Sequence, residues 1–339
     1  MKELLKKLCL ACGTSGREDA VRELILNEIK GFAEVRVDPL GNIIAEKKGK
    51  RRAAVRVTAD AHTDEVGIIA SSVNERGFVK FHTVGGIEVP SLLSKRFVFE
   101  NGARGVVCIK PVHLCSKEES SKLPEEETLV LDIGAASREE ALKMISIGES
   151  AVFEPDFSSL GDLFVSKAID DRAGCAVLIT LLKEEAEYDF TATFSVQEEI
   201  GLRGARTAAF NSNCEVAVIV EGTTAADIPS NSGGDRVCEV GKGAVLSFMD
   251  RATMYDRRLY LEGRRLAEES GIKCQTKTKV AGGNNSGAFH TAMGGVRTAA
   301  VSLPCRYIHS SSSVASFDDL ENVYRLTKLL IEKAAAGEI

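Results

Sequence analysis

The sequence predicts an α/β protein: a mixed, mostly parallel sheet sandwiched by helices, with a small β-barrel-like domain inserted into it. Apolar runs at residues 53–59, 164–167, 191–196, 216–220 and 298–303 are nearly uninterrupted, as strands buried on both faces require. Segments of helical period separate them, the alternation of a largely parallel sheet. From about residue 71 to 160 the texture changes to short strand-like runs split by glycine and polar turns, which points to a separate β-rich unit. The expected division is a discontinuous domain, residues 1–70 and 161–339, interrupted by an insert at 71–160.

Near the start, Leu4, Leu5, Leu8 and Cys12 share a helical face, so the Cys9-x-x-Cys12 pair reads as packing. No second cysteine pair completes a zinc site. Ser15 and Glu18 read as a capping box before a helix with Val21, Leu24, Ile25 and Ile29 on one face. Strands are expected at 34–37 and 42–46 around the turn Asp38-Pro-Leu-Gly41, then at 53–59, leading into Asp60-Ala-His62-Thr-Asp64. Within the insert, 79–84, 96–100 and 105–110 read as strands, 116–127 as a charged surface loop and 137–145 as a short helix. Alternation resumes with a strand at 164–167, a helix at 171–187, a strand at 191–196, a helix near 204–210 and a strand at 216–220. Helices at 256–270 and 286–293, a strand at 298–303 and a helix at 317–336 complete the expectation.

Composition narrows the function. The 339 residues are 44% hydrophobic and 27% charged, enough to bury a sizeable core. Their net charge of −6, with no basic cluster, argues against nucleic acid or an anionic membrane as partner. No run approaches the ~20 apolar residues of a membrane span. The apolar stretch at 8–12 is too short for a signal-peptide core. Nine scattered cysteines, an odd number, fit a reducing cytoplasm better than a disulfide framework.

The candidate chemistry lies where the apolar strands end. His62 follows the run at 53–59, Asp170 the run at 164–167, Glu198 and Glu199 the run at 191–196, Glu221 the run at 216–220, and His309 the run at 298–303. In open α/β sheets that edge binds ligands. In an extended His62-Thr-Asp64 the two side chains point the same way, so Asp64 could orient the imidazole; alone the pair would pass for a polar loop. One aspartate of Asp170-Asp171 could cap a helix, but capping does not explain two in a row. Adjacent Glu198 and Glu199 repel; at the end of a buried strand a cation would offset the repulsion. Because neighbours face opposite ways, one could bind metal while the other reaches a water. Two histidines and three carboxylates, with Glu198 spare, suit Zn²⁺, with Co²⁺ or Mn²⁺ as substitutes. One carboxylate bridging two ions would leave an open position for a shared water, as amide hydrolysis requires.

At these residues the chain resembles the M42 family of metallo-aminopeptidases, the tetrahedral aminopeptidases and their glutamyl-aminopeptidase relatives. The likeness runs nearly end to end, through Thr14-Ser-Gly-Arg-Glu18, Asp38-Pro-Leu-Gly-Asn42 and Ala61-His-Thr-Asp-Glu-Val-Gly67. It continues through Lys167-Ala-Ile-Asp-Asp-Arg-Ala-Gly174, Val196-Gln-Glu-Glu-Ile-Gly-Leu-Arg-Gly-Ala205 and Pro304-Cys-Arg-Tyr-Ile-His-Ser310. In the insert, Pro111-Val-His-Leu114 and Leu131-Asp-Ile-Gly-Ala135 share it. The resemblance implies that His62, Asp170 and Glu221 hold one metal and Asp170, Glu199 and His309 the other, with Asp170 bridging. It implies Glu198 as general base, Asp64 as the residue orienting His62, and a cis peptide between Asp170 and Asp171. It makes the insert an oligomerisation domain, commonly used to build a hollow dodecamer. Two positions depart: many relatives carry Asp at Glu221 and at Asn285, the latter change removing a negative charge near the expected site.

The expected activity is hydrolysis of the N-terminal residue from peptides, with a metal-bridging hydroxide as nucleophile and Glu198 as base. A metal-dependent deacylase could use the same metal pair, and a peptide-binding scaffold could keep the fold without activity. Glycoside hydrolysis also uses paired carboxylates, but it needs no histidines, and the chain has no tryptophan for sugar stacking. The serines at 310–313 read as a polar connection, not a nucleophile. His82, His113 and His290 have no comparable carboxylate context, and Gly85-Gly86 and Gly282-Gly283 read as turns.

Overall fold

The structure, a computed structural model, describes residues 1–231 and 236–339. Two helices, α1 (Lys2–Leu10) and α2 (Asp19–Ile29), precede the hairpin β1 (Glu34–Val37) and β2 (Ile43–Lys47), and then β3 (Val57–His62). The chain next forms β4 (Gly67–Val73), β5 (Val79–Val84), α3 (Val89–Leu92), β6 (Arg96–Phe99), β7 (Arg104–Val107), β8 (Leu131–Asp132), α4 (Arg138–Met144) and β9 (Ser150–Phe153). A ribbon of β10 (Phe157–Leu160) and β11 (Leu163–Ser166) leads to α5 (Ile169–Lys183), β12 (Phe190–Ser195), α6 (Arg203–Ser212) and β13 (Val216–Thr224). Then come β14 (Ala244–Leu246), α7 (Arg257–Glu269), β15 (Cys274–Thr276), α8 (Ser286–Phe289), β16 (Arg297–Cys305), β17 (Ser313–Ser316) and α9 (Phe317–Ala335).

Eight strands build the main sheet in the order β1-β2-β12-β3-β13-β16-β14-β15. Its centre, β12, β3, β13 and β16, is parallel, while β2 and β14 join it antiparallel. This is the mixed, mostly parallel sheet that the apolar runs imply. β13 shows why those runs are continuous: Val216, Val218 and Val220 face a core shared with α5 and α9, while Ala217 and Ile219 face α6 and Phe289. Strands β4 to β9 close into a six-stranded antiparallel barrel with its own core, where the tilted rings of Phe97 and Phe153 pack with centroids 4.6 Å apart. Among the described residues no helix is long and apolar enough to cross a membrane.

Several local expectations shift. Ser15 and Glu18 form no capping box; α2 starts at Asp19 without a side-chain cap, because both side chains bond to distant parts of the chain. α1 ends at Leu10 and buries Leu5, Leu8 and Cys9, leaving Cys12 beyond the helix. β3 begins at Val57, later than expected, and runs through His62. β13 runs past Glu221 to Thr224, because its pairing with β16 persists as far as Thr224 and Cys305. Ser286 starts only a single helical turn.

The link from β3 to β4 is pinned by Glu65, which is 2% exposed. It accepts from Lys167 Nζ at 2.7 and 2.8 Å and from Arg172 Nη2 at 3.0 Å. Lys167 also donates to the Ala11 carbonyl, and Arg172 to the Leu8 and Ala11 carbonyls, so one carboxylate ties the end of α1 to the start of α5. Removing one partner of such a cluster strands buried charge. Glu65→Ala is therefore expected to cost about 3–5 kcal/mol in urea unfolding. Exposed Leu160→Ala should stay within about 0.5 kcal/mol of the parent. Equal, small losses at both positions would show that the cluster does not stabilise this junction.

Candidate metal centre

Five segments converge at the carboxyl edge of the sheet. His62 is the last residue of β3, and Ser195 at the end of β12 pairs with it in register. Glu198 and Glu199 lie in the loop between β12 and α6. Glu221 sits in β13, two residues beyond the last residue that pairs with β3. Asp170 comes from the start of α5, where Asp170 and Asp171 have non-helical backbone angles and are joined by a cis peptide. His309 reaches in from the loop between β16 and β17.

Asp170 stands between the two imidazoles. Its Oδ1 is 3.4 Å from His62 Nε2, and its Oδ2 is 3.5 Å from His309 Nε2. Glu221 Oε1 lies 3.2 Å from His62 Nε2, and Glu199 Oε2 lies 3.2 Å from His309 Nε2. The five residues thus form two half-sites that share one carboxylate. Gly222 permits this approach: its N–H lies 3.2 Å from Asp170 Oδ1, and a Cβ there would meet that oxygen at 2.8 Å.

Both imidazoles are oriented from behind. His62 Nδ1 lies 3.1 Å from the Asp64 carbonyl and 3.3 Å from Asp64 Oδ1. His309 Nδ1 lies 2.9 Å from the Gly86 carbonyl, in the barrel loop after β5. With each Nδ1 donating its proton, each Nε2 is aimed at the acids, where it could give its lone pair to a cation bound between them. Gly85, at φ +83°, lets that loop pass close to Glu199, whose Cβ would lie 3.2 Å from a Cβ at Gly85.

The donor set fits divalent cations. His62 Nε2 and Glu221 Oε2 are buried without a hydrogen-bond partner. Ligand atoms of His62, Asp170 and Glu199 lie within 4.8 Å of one another, as do those of His62, Asp171 and Glu221. Asp171 belongs to the frame, because its oxygens accept from the His62 and Gly174 backbone N–H groups.

Charge follows this geometry. Burial, then the charges of Asp170 and Asp171, drives Glu221 well above the carboxylate range. Burial also raises Glu199, and with the charges of Glu199 and Asp170 it pushes Glu198 up to about 8. Burial opposes ionisation of Asp170, but the imidazoles of His309 and His62 beside it hold it well below its usual value. Burial likewise disfavours protonated imidazoles, yet Asp170 and Glu199 lift His309 to about 11. Glu221, Asp170 and Asp64 lift His62 well above its ordinary value.

Asn285 is buried beside the site and donates to Asp60 Oδ2 at 2.8 Å and Ser195 Oγ at 2.7 Å. The carboxyl that Asn285 faces, Asp60, is raised by burial to about 6. An aspartate at 285 would set two buried carboxyls against each other. His82 and His113 are exposed on the barrel, and His290 bonds to the Ser286 carbonyl. Sequence reasoning missed Gly86, Asn42 and the long-range partners of Ser15 and Glu18. A backbone carbonyl leaves no trace in residue type, and the other three sit in motifs that read as local turns or caps.

The sequence matches the M42 glutamyl aminopeptidase family over residues 41–326. A lysyl aminopeptidase of Pyrococcus furiosus is 35% identical, covering 98% of this chain and 96% of its own length. The structure of a TET aminopeptidase from a Thaumarchaeota archaeon superposes with a TM-score of 0.94 at 32% identity, over 100% of this chain and 98% of that one. The Pyrococcus horikoshii TET1 peptidase, which can assemble into a tetrahedron or a large octahedral shell, gives 0.86 at 33% identity, over 97% and 98%. With its family match and its relatives agreeing nearly end to end, this chain belongs to the M42 aminopeptidase family and is a peptidase hydrolase.

Proposed function

We propose that the chain is a di-metal aminopeptidase that removes the N-terminal residue of peptides. The observation that carries this reading is Asp170, whose two oxygens face one imidazole each. His62, Asp170 and Glu221 would hold one ion, and Asp170, Glu199 and His309 the other. Mixed nitrogen and oxygen donors favour Zn²⁺, with Co²⁺ or Mn²⁺ as substitutes. Bound ions would lower the pKa of a shared water and polarise the scissile carbonyl.

The protein's own groups then move the proton. Glu198 takes a proton from the attacking water and returns it to the leaving amine nitrogen, acting as base and then as acid. Burial and the charges of Glu199 and Asp170 raise this carboxyl in the ion-free site, and cations bound beside it would lower it again toward the ionised form a base needs. Its backbone is fixed by Asp64, whose Oδ1 accepts the Glu198 N–H at 2.9 Å. The acidic lining favours the cationic α-amine of a free peptide over an acylated one. In the same proposal residues 1–70 and 161–339 carry catalysis, and residues 71–160 join subunits of a cytoplasmic homo-oligomer, a tetrahedral dodecamer. Val112, Leu114 and Leu123, apolar and exposed on that insert, support a contact role. Light scattering that returned a monomer would remove the assembly part.

Three outcomes test the chemistry. Metal-loaded protein should cleave free aminoacyl anilides and leave N-acetylated ones intact; the reverse pattern would make it a deacylase. Glu198→Gln should lose roughly 10²–10⁴-fold in kcat at unchanged metal content. Near-normal turnover with both ions bound would remove Glu198 as the base.

Loading protein stripped of ions should release protons at pH 7, from the two imidazoles and from Glu221, whose carboxyl burial in the ion-free site pushes well above its usual range, as calorimetry in buffers of different ionisation enthalpy would show. Despite burial, neighbouring acids raise His309 to about 11 and His62 well above its ordinary value, so both imidazoles hold a proton that the metal must displace. Apparent metal affinity should accordingly rise with pH. Binding without proton release, or affinity that falls as pH rises, would exclude these histidines as ligands.

A further inference from the structure

The loop that carries Glu198 and Glu199 is held in an unusual way. Four successive backbone N–H groups, from Val196 to Glu199, all donate to side-chain oxygens. Val196 N donates to Asn42 Oδ1 at 2.9 Å, Gln197 N to Glu18 Oε1 at 3.1 Å, Glu198 N to Asp64 Oδ1 at 2.9 Å and Glu199 N to Asp64 Oδ2 at 3.1 Å. The carbonyls of Val196, Gln197 and Glu198 are committed as well, accepting from the N–H groups of Gly204, Arg203 and both Gly201 and Leu202. Gln197 has φ +56°, a left-handed backbone that a residue with a Cβ adopts at a cost and keeps only where its surroundings hold it.

Two of these supports meet in one short loop. Glu18, 3% exposed, accepts the Gln197 N–H and, on the same oxygen, the Gly16 N–H at 2.7 Å. Ser15 Oγ donates to Asp64 Oδ2 at 2.6 Å, the oxygen that also holds the Glu199 N–H. Residues 15–18 therefore reach both sides of the acid pair. One contact sets the turn that precedes Glu198; the other fixes the carboxylate beneath Glu198 and Glu199.

We infer that Glu18 and Ser15 are positioning residues for peptide hydrolysis: they fix the backbone from which Glu198 and Glu199 project, without touching substrate. The inference rests on the roles proposed above for Glu198 and Glu199. Glu18 acts through N–H acceptance, so a glutamine oxygen at that position can do the same work, whereas alanine cannot. Since Glu199 belongs to the half-site with His309, loss of Glu18 should weaken metal retention there while the other half-site keeps its ion.

The test compares the parent, Glu18→Ala, Glu18→Gln, Ser15→Ala and Glu198→Gln as full-length chains. Kinetics on an aminoacyl anilide, ion release to a chelator and thermal unfolding are measured on each. Glu18→Ala should lose roughly 10–100-fold in kcat and release one of its two ions more readily by a similar factor. Its KM should stay within about threefold of the parent, since substrate contacts are untouched. Glu18→Gln should recover most of the loss, and Ser15→Ala should fall between the two.

Parent-like kcat and ion retention in Glu18→Ala would overturn the inference. So would a Glu18→Gln as impaired as Glu18→Ala, because charge and not N–H acceptance would then be in command. If Glu18→Ala does not fold, Glu18→Gln and Ser15→Ala decide: a folded, fully impaired Glu18→Gln or a fully active Ser15→Ala counts against it. An inactive parent, or an undiminished Glu198→Gln, would instead overturn the aminopeptidase mechanism itself.

Discussion

Crowded negative charge governs this molecule. Asp64, Asp170, Asp171, Glu199 and Glu221 meet within a few ångströms of two imidazoles, largely out of water, and Glu198 adjoins them in the chain. Like charges in such a place repel strongly, and each carboxylate pays for desolvation as well. Nearby cations do not relieve the strain. Lys167 and Arg172 are buried close by, but Glu65 and backbone carbonyls of α1 occupy them. What is left to balance the acids is the pair of imidazoles and whatever cations the site recruits. The upward shifts of both histidines express that demand.

The sheet makes the crowding possible. Parallel β3 and β12 end at one level, abreast of Glu221 in β13, so acids and a histidine that are 62, 199 and 221 residues along the chain become neighbours. Buried backbone groups hold the acids apart in direction: Asp171 turns to the N–H groups of His62 and Gly174, and Asp64 to those of Glu198 and Glu199. A carboxylate that accepts two backbone N–H groups is both neutralised in part and immobilised. Each acid of the group is thus assigned either to the frame or to the opening.

Much of this was legible in the sequence, for physical reasons. Strands such as 216–220 lie between two layers of helix, so nearly every residue is apolar and the run stands out. Polar residues at the ends of those runs are conspicuous by contrast, and His62, Asp170, Glu199, Glu221 and His309 do come together. Strand ends were less legible. β13 continues past Glu221 because pairing with β16 continues, a fact held by the partner strand and not by the local residues. Ser15 and Glu18 have the spacing of a helix cap, and no local rule distinguishes a side chain that turns back from one that reaches residue 64 or 197. The partner of Asn285 was hidden for the same reason: Asp60 is 225 residues away.

The carbonyl of Gly86 belongs to the barrel, while the imidazole it steadies belongs to the sheet. The two folding units are therefore not interchangeable parts. A barrel borrowed from another protein could close, pack and remain stable, yet leave His309 Nδ1 without the carbonyl that steadies its ring. Recombination between relatives would have to keep the loop after β5 together with the segment around residue 309, although more than two hundred residues separate them.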